Sequence, residues 1–132
     1  MLELYIVIGI LLVFILFTVY RYFKQKKILK QLSEEEFRNG YRKAQLIDVR
    51  EPNEFDGGHI LGGARNIPLT QMKQRLTELR KDKPVYLYCQ NGSRSMRAAL
   101  LLHKNGYQDL YNLSGGFKKW SGKIKKTKKM DY

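Results

Sequence analysis

Cysteine is all but missing from this chain of 132 residues. The single thiol, Cys89, excludes a disulfide within the chain, and with only His59 and His103 beside it there is no cysteine and histidine cluster to hold zinc. A lone free thiol suits a reducing compartment. None of the 11 glycines falls in a P-loop spacing, and no internal repeat is present. Acidic residues are also short, 12 against 25 lysines and arginines, for a formal net charge of +13. That excess is local. Five basic residues lie between Arg21 and Lys30 and seven lysines between Lys118 and Lys129; taking those twelve from 25 leaves thirteen against 12 acids. The middle of the chain is nearly balanced, and the two flanks carry charge that suits an anionic surface, phospholipid or nucleic acid.

At its start the chain has one long apolar run. Leu4 to Tyr20 contains no charge, no proline and no strongly polar side chain except Thr18. As a helix it reaches about 26 Å, close to a hydrocarbon core of roughly 30 Å, with Tyr5, Tyr20 and Tyr22 near its ends where interfacial aromatics belong. No basic region precedes the run and no small-residue cleavage site follows it, which argues against a signal peptide. The expectation is a transmembrane anchor. Glu3 alone precedes it, whereas Arg21, Lys24, Lys26, Lys27 and Lys30 follow at once, so the positive-inside rule places the N-terminus outside and the remainder in the cytoplasm.

The rest divides into a juxtamembrane stretch through Leu32, a domain over residues 33–122 and a lysine-rich tail over 123–132 that is expected to be disordered. Its apolar content, within an overall 43%, suffices for one core. Ser33-Glu34-Glu35-Glu36 forms a capping-box pattern for a short helix ending near Asn39-Gly40. Gln45 to Val49 reads as a buried strand with Asp48 and Arg50 at its carboxyl end, and Pro52 opens a short helix. His59, among glycines, is expected to serve as a local hydrogen-bonding residue, and Ala64 to Ile67 as a short strand. The spacing of Met72, Leu76 and Leu79 predicts a helix over Gln71 to Arg80. Val85 begins another strand, Leu110 to Leu113 a further one, and Gly115-Gly116 turns into a last short helix with Phe117 and Trp120. Strands alternating with helices argue for an α/β sheet, largely parallel.

Chemistry concentrates in Val85 to Ser95, an apolar strand running into a polar, glycine-bearing loop that opens a helix from about Arg94 to Asn105. Gly92 lets the loop curl, and Ser93 and Ser95 are candidate caps. Met96, Ala99, Leu100 and His103 trace one helix face. A sulfur at the junction faces the amides of Gln90 to Ser95, a helix N-terminus and Arg94, each of which favours thiolate over thiol. The competing reading is an inert buried thiol. The position of Cys89, at a strand end and the start of a polar loop, favours the reactive one.

Two segments, LIDVREPNEFDGGHILGGARNIPL and YCQNGSRSMRAALLLHKNGYQDLYNLSGGFKKW, resemble the single-domain rhodaneses, a sulfurtransferase family. The resemblance covers about Glu35 to Gly122. It rests on D-V-R-E…H-I…G-A…I-P, then C-x-x-G-x-R-S, then L-x-G-G-x-x-x-W. Many members read H-I-x-G-A, whereas His59-Ile60-Leu61-Gly62-Gly63-Ala64 is one residue longer, a change that bears on loop geometry. The resemblance implies a rhodanese-like α/β domain whose central, mainly parallel sheet is flanked by helices. It implies that Cys89 takes a sulfane sulfur from thiosulfate or a persulfide donor and passes it to a thiophilic acceptor. The loop residues Gln90, Asn91, Gly92, Ser93, Arg94 and Ser95 would bind the anion, Asp48 and Arg50 would support the site, and no metal or cofactor is required. Two other readings stay open. Cysteine phosphatases and arsenate reductases use C-x5-R where this chain has C-x4-R, and a tethered docking module would use no sulfur chemistry, though such modules often lack the cysteine. The basic flanks suggest lipid contact through the tail, which has no aromatic other than Tyr132, so lipid rather than nucleic acid is the partner expected.

Overall fold

Leu29 to Leu32, read from the sequence as the end of the juxtamembrane stretch, form strand β1 at the edge of the main sheet. The domain therefore starts four residues ahead of the boundary expected at Ser33. The computed structural model describes residues 1–60 and 63–126, apart from the side chains of residues 25 and 26. Leu61 and Gly62, read from the sequence as part of a glycine-marked turn, and residues 127–132 of the lysine-rich tail lie outside the described residues.

Helix α1 (Leu2–Ile28) leads directly into β1. Then come α2 (Glu34–Gly40), a 3-10 turn (Tyr41–Lys43), β2 (Gln45–Asp48), α3 (Pro52–Asp56), β3 (His59–Ile60), β4 (Arg65–Asn66) and α4 (Leu69–Met72). After a 3-10 turn (Leu76–Glu78) follow β5 (Val85–Tyr88), α5 (Ser93–Lys104), β6 (Leu110–Leu113), another 3-10 turn (Phe117–Lys119) and β7 (Ile124–Lys125). Five strands pair in the order β1-β6-β5-β2-β4, and every pairing among them is parallel. The α/β expectation holds. The capping box holds as well: Glu36 N donates to Ser33 Oγ and Ser33 N to Glu36 Oε1, each at 3.2 Å.

Side chains alternate across the sheet as a pleated strand requires. On one face Val85, Leu87 and Cys89 join Ile47, Val49, Leu29 and Leu110 beneath Ala98, Ala99 and Leu102 of α5. On the other, Tyr88 and Leu46 pack with Phe37, Tyr41, Ile60 and Leu113. The buried face of α5 thus runs through Ser95, Ala98, Ala99 and Leu102, while His103 is exposed, so the stripe read through Met96, Ala99, Leu100 and His103 is displaced by one residue, about a quarter of a turn.

Two expected elements differ. The helix over Gln71 to Arg80 shrinks to α4 and a 3-10 turn, because Met72 and Leu79 reach the core from a folded-back segment held by Gln74 N→Gln71 O and Arg75 N→Met72 O. The tail expected to be disordered begins as a strand: β7 pairs antiparallel with β3, Ile124 opposite Ile60. Trp120 closes the α2 side of the core, stacking edge-on against Phe37 and Tyr41.

Sequence-length expectations for α1 are met. Leu2–Lys24 is a helical stretch long and apolar enough to cross a membrane, and none of its most apolar window is buried against the domain. Its last turn is different. Ile28 is buried in the core, and the segment before it lies against the end of α5.

Candidate active site

Alternation along β5 puts the Cys89 side chain on the α5 face, in line with Val85 and Leu87. The chain then turns through Gln90 to Gly92 into the first turn of α5. Gly92 occupies the N-cap position with φ 104°, a left-handed conformation that a side chain would strain. This geometry points its N–H back at the sulfur. Gly92 N donates to Cys89 Sγ at 2.8 Å and Ser95 N at 3.4 Å, so two amides at the positive end of a helix converge on one buried sulfur.

The other loop residues take different posts. Ser93 is the first residue of α5, not its cap, and its N–H and Oγ both donate to Asn91 Oδ1, at 3.1 and 2.9 Å. Ser95 is fully buried and lies inside the first turn. Its Oγ is 2.6 Å from Asn112 Oδ1, 2.9 Å from Gly92 O and 3.5 Å from Cys89 Sγ. Asn112 in turn donates through Nδ2 to Gln31 Oε1 at 2.8 Å. A polar chain therefore runs from edge strand β1 through β6 to the sulfur. Neither Asn112 nor Gln31 was singled out from the sequence. The available signal was a polar residue on the inward side of an apolar strand, Asn112 within LYNL.

Arg94 was expected to face an incoming anion, but its guanidinium is occupied. Nη1 and Nη2 donate to Glu54 Oε1 and Oε2 at 2.6 and 2.9 Å, a two-pronged pair that ties α3 to the start of α5. The Arg94 hydrogen bond holds the Glu54 carboxyl below the usual carboxylate range, and Glu54 in turn raises Arg94, with the Cys89 charge a smaller contribution.

Asp48 and Arg50 project from the opposite face of the sheet, where both are buried. Arg50 Nε and Nη2 donate to the Asp48 carboxylate at 2.8 to 3.1 Å, Nη2 also to Gly58 O at 2.5 Å, and Nη1 to Gln90 Oε1 at 3.2 Å. The guanidinium lies 4.2 Å from the Phe117 ring centroid. Arg50 thereby links β2, the β3 turn and the residue after the cysteine. Below it Tyr88 accepts from Ile60 N at 3.1 Å, and burial first, then the Asp48 charge, pushes its phenol far above the ordinary range.

The turn at Gly115-Gly116 backs the loop from outside. Phe117 N donates to Cys89 O at 2.8 Å and Lys118 N to Gln90 O at 3.1 Å. A Cβ on Gly116 would lie 2.5 Å from Gln90 O, so only glycine lets the backbones approach this closely. His59 sits apart from the sulfur as a local hydrogen-bonding residue, Nδ1 2.9 Å from Phe55 O with its ring stacked on Phe55 at 3.8 Å. Among the described residues no group of three histidines, cysteines or carboxylates is placed to hold a metal.

The fold that places this cysteine at the carboxyl end of a central parallel strand has counterparts in known proteins. Residues 28–123 match the model of the rhodanese-like domain. The chain is 67% identical to the uncharacterized protein YqhL of Bacillus subtilis over 93% of its own length and 97% of that protein. It is 34% identical to the thiosulfate sulfurtransferase GlpE of Shewanella oneidensis, covering 60% of this chain and 77% of that one. The crystal structure of a rhodanese-like domain protein from Staphylococcus aureus superposes with a TM-score of 0.67 at 27% identity, over 75% of this chain and 99% of that one. The chain belongs to the rhodanese-like family, which includes sulfurtransferases, and its single domain of that kind begins at the foot of β1.

Proposed function

We propose that this protein is a sulfurtransferase tethered to the cytoplasmic face of the cell membrane by α1. In the first half-reaction the Cys89 thiolate attacks the outer sulfur of thiosulfate or a persulfide. The new S–S bond forms as the donor's own S–S bond breaks, and sulfite or a thiolate leaves with the electron pair. In the second half a thiophilic acceptor takes the outer sulfur and Cys89 departs as thiolate. Its sulfur is anionic at the start of one half and the end of the other, so the same donors serve both.

The observation that carries this reading is the pair of amide donors on Cys89 Sγ, Gly92 N at 2.8 Å and Ser95 N at 3.4 Å. In this scheme Arg50 positions the loop through Gln90, Asp48 holds Arg50, and Arg94 fastens α3 to the loop's exit. The test is intact mass of the full chain after exposure to thiosulfate or glutathione persulfide. Wild type gains one sulfur atom that cyanide removes, and Cys89→Ser gains none. Unchanged mass with a titratable, free Cys89 would reject the assignment. Resistance of the membrane-bound chain to alkaline carbonate, together with protease access to the domain from the cytoplasmic side alone, tests the anchor and its orientation.

A further inference from the structure

Phe17, Arg21, Lys24 and Ile28 are spaced at i, i+4, i+7 and i+11, so they form one stripe of α1. That stripe faces the last turns of α5, where Leu100, His103 and Lys104 recur at i, i+3 and i+4. The two helices enclose a crevice of about 450 Å³ with Ile28 among its lining residues, and Tyr20 completes its wall on the α1 side. The lining is divided by chemistry. Phe17, Tyr20, Leu100 and Ile28 supply apolar surface, while Arg21, Lys24 and Lys104 supply positive charge and no carboxylate contributes.

Among the described residues none of these three cations forms an ion pair. Arg21 instead lies 5.7 Å from the Phe17 ring centroid. The carbonyls at the end of α5 do not cancel the charge either. Asn105 N and Tyr107 N take Leu102 O, Gly106 N takes His103 O and Asn105 Nδ2 takes Leu101 O. The crevice is therefore a cationic cleft with an aromatic, apolar wall, placed where the apolar run of α1 gives way to its basic end.

We propose that this crevice binds the headgroup of an anionic phospholipid, its phosphate between Lys24, Arg21 and Lys104 and the first carbons of its acyl chains along Phe17 and Tyr20. Charge complementarity and the wall's amphipathic division select this occupant: a free phosphate would leave the aromatic wall unused, and a neutral headgroup would leave three cations uncompensated. The site rests on the reading of α1 as an anchor, and it lies at the end of α5 away from Cys89. Filling it would fix the angle at which the domain stands on the bilayer.

The test uses the full chain in a neutral detergent, titrated with phosphatidylglycerol or phosphatidylcholine and read by native mass spectrometry. Wild type retains one phosphatidylglycerol at least tenfold more tightly than phosphatidylcholine. Lys24→Gln combined with Lys104→Gln weakens that retention roughly 10- to 30-fold, the scale of removing two cations beside an anionic headgroup. A Lys43→Gln, Lys73→Gln double variant, which removes the same charge elsewhere, binds as wild type. Equal loss in both double variants, equal retention of the two lipids, or displacement of the lipid by micromolar inorganic phosphate would each overturn the proposal. Extraction of the chain from membranes by alkaline carbonate would reject the anchor alone, and the comparison in micelles would still decide the crevice.

Discussion

Cys89 owes its setting to the pleat of β5, which carries its side chain to the α5 face, and to Gly92, whose φ of 104° brings an amide back to the sulfur. Gly92→Ala is expected to cost about 1–2 kcal/mol of stability from the left-handed backbone. It also shifts the 2.8 Å donor, so the rate of persulfide formation should fall more than stability alone explains; stopped-flow kinetics beside thermal unfolding separates the two. Asp48→Asn leaves the buried Arg50 without its counter-charge, and a loss of roughly 3–5 kcal/mol should appear in the denaturant midpoint. The Glu54 carboxyl is depressed below its ordinary value of 4.5 by Arg94, so its ion pair stabilises the fold above that pH and is lost as pH falls through the depressed value. Glu54→Gln should therefore lower the melting temperature at neutral pH, by about 1 kcal/mol of stability, and converge with wild type in acid. At this scale the sequence was informative about identity and less so about geometry. Cys89 and its loop were legible from C-x-x-G-x-R-S, whereas the capture of Arg94 by Glu54 depends on α3 folding back some forty residues away in the chain.

Among the elements, β1 was the least legible. LKQL follows directly on a basic helix, and only pairing with β6, Leu29 opposite Leu110, makes a strand of it. The same holds for β7, two residues within a lysine-rich stretch whose pairing with β3 is a tertiary event. The helix expected over Gln71 to Arg80 had the right apolar spacing, but tertiary packing of Met72 and Leu79 overrode it. Elements with local signals, such as the Ser33 capping box and the buried β2 and β5, appeared where expected. A chain cut at Ser33 would remove Leu29 from the core and uncover the edge of β6. Such a fragment should aggregate on size exclusion, while one starting at Ile28 should elute as a folded species. Gly116→Ala tests the opposite end: its Cβ meets Gln90 O at 2.5 Å, so it should cost roughly 2–3 kcal/mol and displace the turn that backs the loop.

For the molecule as a whole, the uniform direction of the main sheet matters more than any one strand. α1 enters at the foot of β1, and Cys89 follows the top of β5, with Leu29 level with Leu110 and Leu110 level with Val85. The rise of such a strand separates the two ends by about 15 Å. α5, 12 residues long, runs back over roughly 18 Å from the sulfur to the crevice beside α1. A fluorophore attached at Asn91→Cys, in a Cys89→Ser background, should thus escape quenching by doxyl-labelled lipid in reconstituted vesicles.

On the proposed anchoring by α1, a domain built this way would carry its chemistry at the pole facing water. Such a tether would set an address rather than a reaction: a donor dissolved in the bilayer interior would have no route to the thiol, whereas a partner held at the same surface would meet it through a two-dimensional search at raised effective concentration. Sulfur exchange would then be confined to a shell of water about one domain thick, and the anchor could be exchanged for another without rebuilding the loop.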